Sequence, residues 1–138
     1  YHFADLRNVR GNYSGFVRMD GEYRINAPDA TFDIVYSLNC LEHVRQPWTW
    51  ITELARLLRP GGTLIIVTPV SWQEHRSPYD CWRVFPDGAR ALFEMAGIEP
   101  LLVKMETLDH SPESRRHQMG RGPVVDLIAI GRKSCVAL

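Results

Sequence analysis

Polar side chains that could bind a ligand or transfer a proton follow four predicted strands of this sequence. They are Asp5, the Asp20–Gly21 pair, residues 37–43 and residues 68–82. In an open parallel sheet the carboxyl ends of the strands share one edge, and ligands bind there. We therefore expect these four segments to form one functional rim.

Two histidines and an aspartate are the candidate catalytic side chains of this rim. His43 follows one predicted strand, and His75 and Asp80 follow the next. Histidine changes its protonation near neutral pH, so these groups could accept a proton from an oxygen or nitrogen nucleophile. A structural alternative stays open, in which His43 is a packed side chain, Asp80 pairs with Arg83, and Trp82 packs on the core.

The cysteines give no complete metal-binding pattern. Cys40 lies near His43, and His75 lies near Cys81, but neither pair belongs to a four-ligand set, and Cys135 is remote in sequence. An odd number of widely spaced cysteines also argues against a disulfide framework. We expect reduced thiols and no metal site.

Composition limits the classes of partner. The chain has 138 residues, of which 45% are apolar, with 16 basic and 16 acidic side chains. This charge balance gives no electrostatic basis for binding nucleic acid or an anionic membrane. No apolar run approaches the ~20 residues of a membrane-spanning helix, and the amino terminus lacks the pattern of a secretion signal. We expect one soluble, cytoplasmic domain that acts on a small molecule.

The elements that must position the rim follow from hydrophobic periodicity. Residues 32–38 form an apolar run that fits a strand buried on both faces. An amphipathic helix begins at Pro47 and is ended by residues 60–62, Pro-Gly-Gly. Residues 63–68 form the next strand, which the intervening helix makes parallel to the first. The class is therefore α/β.

The carboxyl-terminal half predicts one more helix and an antiparallel hairpin. Pro86 suits the first position of a helix that Gly97 closes, with Phe85 and Phe93 in the core. No helix separates the two following strands, so they should pair antiparallel. The long polar connection between them is either a lid or a disordered tip. The further segments are strands at residues 100–107 and 124–130, the connection at 108–123, and short strands at His2–Leu6 and Phe16–Met19.

Ordered motifs in this sequence resemble one enzyme family. They read FDIVYSLNCLEHV at residues 32–44, ELARLLRPGG at 53–62 and LIIVTP at 64–69. A later pattern contains His75, Pro78, Asp80, Trp82-Arg83, Pro86 and Gly88. Over roughly residues 1–107 the chain is similar to class I S-adenosylmethionine-dependent methyltransferases, and among these to the type 11 group.

The resemblance implies a fold and an activity. The fold would be a Rossmann-like sheet of seven strands, mostly parallel with an antiparallel carboxyl-terminal hairpin, of which this chain supplies about six strands. The activity would be transfer of a methyl group from S-adenosylmethionine to a small-molecule nucleophile. A second copy of the chain is the candidate protein partner.

The resemblance also implies which residues hold the cofactor. Asp5 matches the acid that binds the ribose hydroxyls, and Asp20 matches the acid near the adenine amino group, where Gly21 allows close approach of the backbone. Ser37, Leu38, Asn39 and Cys40 match the loop beside the methionine part. The structural alternatives are a helix cap or turn for Asp5 and an Asx turn for Asp20.

One feature departs from the family pattern. The glycine-rich turn after the family's first strand is absent, and the chain opens at the second strand. We interpret residues 1–138 as a single methyltransferase domain truncated at its amino terminus. Donation of the missing strand by another chain and a degenerate scaffold are the alternatives. A non-catalytic binding module on this fold and a nicotinamide-dependent oxidoreductase are the rival functions.

Overall fold

The computed structural model describes residues 17–107 and 125–135. The predicted Asp5 site, the strand at His2–Leu6 and the connection at 108–123 lie outside these described residues. Within the described ranges, no helix is both long and apolar enough to cross a membrane. The elements are strand β1 (Phe32–Leu38), a 3₁₀ turn (Leu41–His43), helix α1 (Pro47–Leu57), strand β2 (Leu58–Pro69), helix α2 (Pro86–Met95), strand β3 (Ile98–Glu106) and strand β4 (Asp126–Lys133).

The four strands form one mixed sheet in the order β1-β2-β4-β3. β1 and β2 are parallel, with Leu38 opposite Val67, and β4 is antiparallel to both β2 and β3. This arrangement confirms the α/β class and the antiparallel hairpin expected from the sequence. Of the about six strands expected from this chain, the described residues contain four, joined by one parallel and two antiparallel pairings.

The junction between α1 and β2 differs from the prediction. The helix ends at Leu57, and the Pro-Gly-Gly segment belongs to β2 instead of capping the helix. A residue that precedes proline disfavours the helical conformation, so Pro60 already turns Arg59 away from the helix. A Cβ on Gly62 would lie 3.0 Å from the carbonyl oxygen of Asp33, so this glycine allows the strands to approach closely.

The second helix follows the prediction closely. α2 begins at Pro86, and Gly97, with φ of 70°, follows its carboxyl-terminal residues in the left-handed conformation. Phe93 is buried, as expected, but Phe85 is 59% exposed, which corrects its assignment to the core. Phe85 precedes the helix as its N-cap residue, so the apolar helix face does not include it.

The apolar core lies on one face of the sheet, between the strands and the two helices. Its largest fully buried side chains include Ile51, Leu57, Leu64, Ile66 and Phe93. The opposite face carries Ile34, Tyr36 and Leu38, which are 53–59% exposed, and the half-buried neighbouring side chains Ile65 and Val67. The prediction that β1 is buried on both faces is therefore wrong for the part of the chain described here.

Residues 17–29 contribute less regular structure than predicted. Of the strand expected at Phe16–Met19, the described residues contain one isolated antiparallel bridge between Met19 and Ile25. The segment is held to α1 by Glu53, which accepts a hydrogen bond from the Ile25 amide at 2.8 Å, and by Arg56, which donates to the Asp29 carboxylate at 2.6 Å. Glu53 is thus buried and Arg56 is half-buried, although both belong to the polar side of the amphipathic helix α1.

Replacing Gly131 with alanine should destabilise the fold. The added Cβ would lie 2.4 Å from Ile98 Cγ2 and 2.8 Å from the Phe93 ring, both of which are buried. Overpacking of this kind costs about 1–3 kcal/mol. Denaturant unfolding followed by circular dichroism should show this loss for Gly131→Ala.

The matched control is Gly88→Ala in α2. Its Cβ would meet only Val84 Cγ1 at 3.4 Å, and alanine is favoured over glycine in a helix by roughly 0.5–1 kcal/mol. The control should be as stable as the parent or more stable. A Gly131→Ala protein with the parent's free energy of unfolding would contradict the packing described here.

Candidate functional site

The parallel pairing of β1 and β2 brings two polar loops to the same edge of the sheet. The Asn39 amide donates to the carbonyl of Val67 at 2.9 Å, which continues the pairing to the end of β1. Asn39 then adopts a φ of 48°, a left-handed conformation that asparagine tolerates better than most residues. The chain turns sharply there and enters the 3₁₀ turn at the rim.

The predicted cofactor loop is contiguous with this turn. The Ser37 side chain is buried and accepts a hydrogen bond from Trp50 Nε1 at 3.2 Å, so its hydroxyl faces the core. Leu38 and Asn39 are exposed, and Cys40 is half-buried. A ligand at this loop would therefore meet the backbone of residues 38–40 and not the Ser37 hydroxyl.

The Asp20–Gly21 pair occupies a turn that precedes β1. The Asp20 amide donates to the Arg24 carbonyl at 2.7 Å, and Gly21 has a φ of 90° with open space where a Cβ would point. The neighbouring Glu22 pairs with Arg45, whose hydrogen bond holds the pKa of that carboxyl below its usual range. Arg45 in turn lies 5.0 Å from the ring centroid of Tyr79, which links the turn to the loop after β2.

His43, His75 and Asp80 come together at the rim. The ring centroids of the two histidines are 4.9 Å apart in an edge-to-face arrangement. His75 Nδ1 lies 3.4 Å from an Asp80 oxygen, and the same carboxylate accepts the His75 amide at 2.7 Å. Within residues 17–107 and 125–135, no hydrogen bond or ion pair joins Asp20 to this cluster. Asp5 lies outside the described residues.

Hydrogen bonds to the 3₁₀ turn hold the loop after β2 in place. The main-chain carbonyl of Glu42 accepts the amide of Cys81 at 2.7 Å. Trp82 Nε1 donates to the Val44 carbonyl at 2.8 Å, and His43 Nδ1 lies 2.6 Å from the Tyr79 carbonyl. The loop is therefore positioned by its backbone, although it contains neither helix nor strand.

Asp80 is a buried ionised carboxylate. Arg83 donates to its two oxygens at 2.6 and 2.8 Å, and these bonds hold the pKa of Asp80 well below its usual range despite burial. The predicted ion pair of Asp80 with Arg83 is thus present together with the contact to His75. A carboxyl with so low a pKa is a weak proton acceptor and is better suited to orienting His75.

Glu42 is a site residue to which the sequence analysis assigns no role. Its side chain is 1% exposed, and Oε2 accepts a hydrogen bond from Thr68 Oγ1 at 2.9 Å. Oε1 is buried and has no hydrogen-bond partner among the described residues, and it lies 3.7 Å from His43 Nε2. The only sequence feature that could have indicated a site role for Glu42 is its position directly after the apolar Leu41.

A surface depression of about 250 Å³ lies beside the histidine pair. Its lining is Glu74, Asp80, Cys81, Trp82 and Arg83. The depression is shallow and open. Trp48 and Trp82 are partly exposed on the same surface, and their ring centroids are 6.2 Å apart. The rim thus offers polar groups, a cation and aromatic faces next to each other.

Comparison with known proteins supports the family resemblance. Residues 2–66 match the family described as Methyltransferase domain. Over 47 residues the chain is 43% identical to the ubiquinone biosynthesis O-methyltransferase of Maricaulis maris, an alignment that covers 34% of this chain and 18% of that protein. The chain spans less than a third of the length of the curated relatives it matches.

Solved structures show the same fold at low sequence identity. An S-adenosylmethionine-dependent methyltransferase from Mesorhizobium loti superposes with a TM-score of 0.64 at 16% identity, covering 94% of this chain and 78% of that one. Phosphoethanolamine N-methyltransferase 2 of Haemonchus contortus, in complex with S-adenosyl-L-methionine, gives 0.56 at 12% identity, covering 80% and 35%. The chain therefore resembles class I S-adenosylmethionine-dependent methyltransferases, in sequence over residues 2–66 and in fold over the part described.

Proposed function

We propose that this chain is part of an S-adenosylmethionine-dependent methyltransferase that methylates a small-molecule nucleophile. The observation that carries the proposal is the rim at the ends of β1 and β2. There the motif residues 37–43, which match the methyltransferase family in sequence, lie beside an exposed polar loop. Ligand binding at this edge is the general rule for open α/β sheets.

Two described segments could contact S-adenosylmethionine, one at its amino-acid moiety and one at its adenine base. The turn at Asn39 leaves the backbone of residues 38–40 accessible, as contact with an amino-acid moiety requires. Asp20 is exposed on a turn with open space over Gly21, which suits the approach of a planar base. Asp5 is the proposed ribose ligand, since a carboxylate can accept hydrogen bonds from both hydroxyls of a diol.

Residues of the loop after β2 orient the substrate that accepts the methyl group. When bound, S-adenosylmethionine supplies an activated methyl carbon whose transfer depends mainly on alignment and exclusion of water. His43 and His75 are the proposed proton acceptors for a hydroxyl or amine, and Asp80 is the proposed catalytic partner that orients His75. Trp82 and Arg83 line the depression where an acceptor would lie.

A binding module without catalysis is the second candidate function. The similarity to solved structures at 16% identity supports the fold, and one fold can carry more than one function. Such a module would keep the fold and the rim but would have no affinity for the cofactor. The two candidates therefore differ in a quantity that can be measured directly.

Calorimetric titration with S-adenosylhomocysteine should show micromolar binding by the intact protein and much weaker binding of NAD. Asp5→Ala and Asp20→Ala should each weaken the affinity about tenfold, since each removes a charge-assisted hydrogen bond worth roughly 1.5 kcal/mol. Asp33→Ala is the matched control. Asp33 is also exposed and acidic, but it lies near the opposite end of β1 and pairs with Arg59.

Each outcome of this titration decides between the candidates. If both the Asp5 and the Asp20 variant lost less than about threefold in affinity, the proposed nucleoside contacts would be refuted. A threefold change in affinity corresponds to less free energy than one charge-assisted hydrogen bond supplies. Absence of any binding of S-adenosylhomocysteine would favour the non-catalytic module. Preferential binding of NAD would favour an oxidoreductase.

Alanine substitution of the two histidines should separate proton transfer from alignment. With a panel of phenols and amines as acceptors, release of S-adenosylhomocysteine should fall about 10²–10⁴-fold in kcat for a variant that lacks the general base. His43→Ala and His75→Ala are measured separately, with the Phe85→Ala protein as an exposed aromatic control outside the cluster. If both histidine variants retained the parent's kcat, alignment alone would account for catalysis.

A further inference from the structure

The buried carboxylate of Glu42 lacks a partner for one of its oxygens. Thr68 satisfies Oε2, but Oε1 is buried without a hydrogen bond from any described residue. A buried acceptor without a hydrogen bond lowers the stability of the fold, and the loss is larger for a charged group than for a neutral one. A buried carboxylate oxygen without a partner at the rim indicates a position for a bound cation or a hydrogen-bond donor.

Two imidazoles lie near this carboxylate. His43 Nε2 lies 3.7 Å from Glu42 Oε1, which is too long for a hydrogen bond. One ligand atom from each of Glu42, His43 and His75 lies within 4.8 Å of the others. Ligands at about 2.0–2.1 Å from one tetrahedral ion are roughly 3.4 Å apart, so small side-chain rotations would bring the three atoms onto a common ion.

The hydrogen bonds of the two rings favour ligation through Nε2. His43 Nδ1 lies 2.6 Å from the Tyr79 carbonyl, which can only accept, so Nδ1 carries the proton. His75 Nδ1 faces two acceptors, the Gln73 carbonyl at 3.2 Å and an Asp80 oxygen at 3.4 Å. A neutral ring with its proton on Nδ1 has a lone pair on Nε2, and contacts of this kind orient histidine ligands in metal sites.

The nearby positive charge is compensated. Arg83 interacts electrostatically with Glu42, but its guanidinium is bonded to both oxygens of Asp80. With this pair neutral, Glu42 supplies the negative charge that faces the two imidazoles. A divalent ion would neutralise that charge and satisfy Oε1 at the same time.

We infer that Glu42, His43 and His75 bind one divalent first-row transition-metal ion at the rim of the sheet. Two imidazole nitrogens and one carboxylate oxygen suit ions such as Zn²⁺, Co²⁺ and Fe²⁺. Three protein ligands leave a coordination position open for water or for an oxygen of the acceptor, whose pKa the ion would lower. Ligation through Nε2 would replace the proton-acceptor role proposed above for His43 and His75, and an oxygen bound to the ion would take over that role.

The spacing of cysteines and histidines in the sequence predicts no metal site. Neither Cys40 nor Cys81 belongs to the proposed set of ligands. The third ligand is Glu42, and its distance from His75 in the sequence does not correspond to a metal-binding motif. The assignment depends on tertiary contact between the 3₁₀ turn and the loop after β2.

Titration of the chelator-treated protein with CoCl₂, followed by visible absorption and calorimetry, tests the inference. We expect one Co²⁺ per chain, displaced by Zn²⁺, and affinities about tenfold or more weaker in Glu42→Gln and in His75→Asn. Glu42→Gln keeps an oxygen that can accept the Thr68 hydrogen bond. The matched controls are His110→Asn combined with His117→Asn, and Cys81→Ser, each of which should bind like the parent.

Metal affinity in Glu42→Gln and His75→Asn equal to that of the parent would overturn the inference, as would loss of binding in either control. Circular dichroism verifies folding of each variant. If Glu42→Gln does not fold, His75→Asn decides alone, because His75 lies on a partly exposed loop. The measurement contains neither cofactor nor acceptor, so its outcome is independent of the proposed methyl transfer.

Discussion

The parallel pairing of β1 with β2 is the constraint on which the candidate site depends. Two parallel neighbours end at the same edge, so the segments after Leu38 and after Pro69 must leave the sheet side by side. The Asn39 amide extends the pairing to Val67 and fixes where the turn begins. Everything that distinguishes the rim, including the contact between His43 and His75, follows from this placement.

Backbone hydrogen bonds convert that placement into a defined geometry. The loop after β2 has no regular structure, but the amides of Cys81 and Trp82 donate to the Glu42 carbonyl in the 3₁₀ turn, and the Trp82 indole donates to the carbonyl of Val44, which follows the turn. Glu42 contributes its carbonyl to this contact and its carboxylate to the interior of the site. The same short turn thus holds the loop and presents charged and titratable groups, so its structural and chemical roles are not separable.

Helix α1 illustrates how tertiary packing changes the meaning of an amphipathic pattern. The side that carries Glu53 and Arg56 is polar, and periodicity alone assigns it to solvent. Residues 25–29 cross this side, and Glu53 and Arg56 satisfy the backbone groups of Ile25 and Ala27. A polar helix face can therefore be an interface when the covering segment brings unpaired main-chain groups.

The α/β class and most of the helices and strands could be predicted from local patterns in the sequence. Proline at both helix starts, Gly97 after α2 and the apolar run of β1 act locally, so they could be interpreted without knowledge of the fold. The tertiary structure was needed to show the exposure of Phe85, the inclusion of residues 58–62 in β2 and the proximity of Glu42 to His75. These depend on contacts between segments distant in the chain, and local periodicity contains no information about which segment covers which.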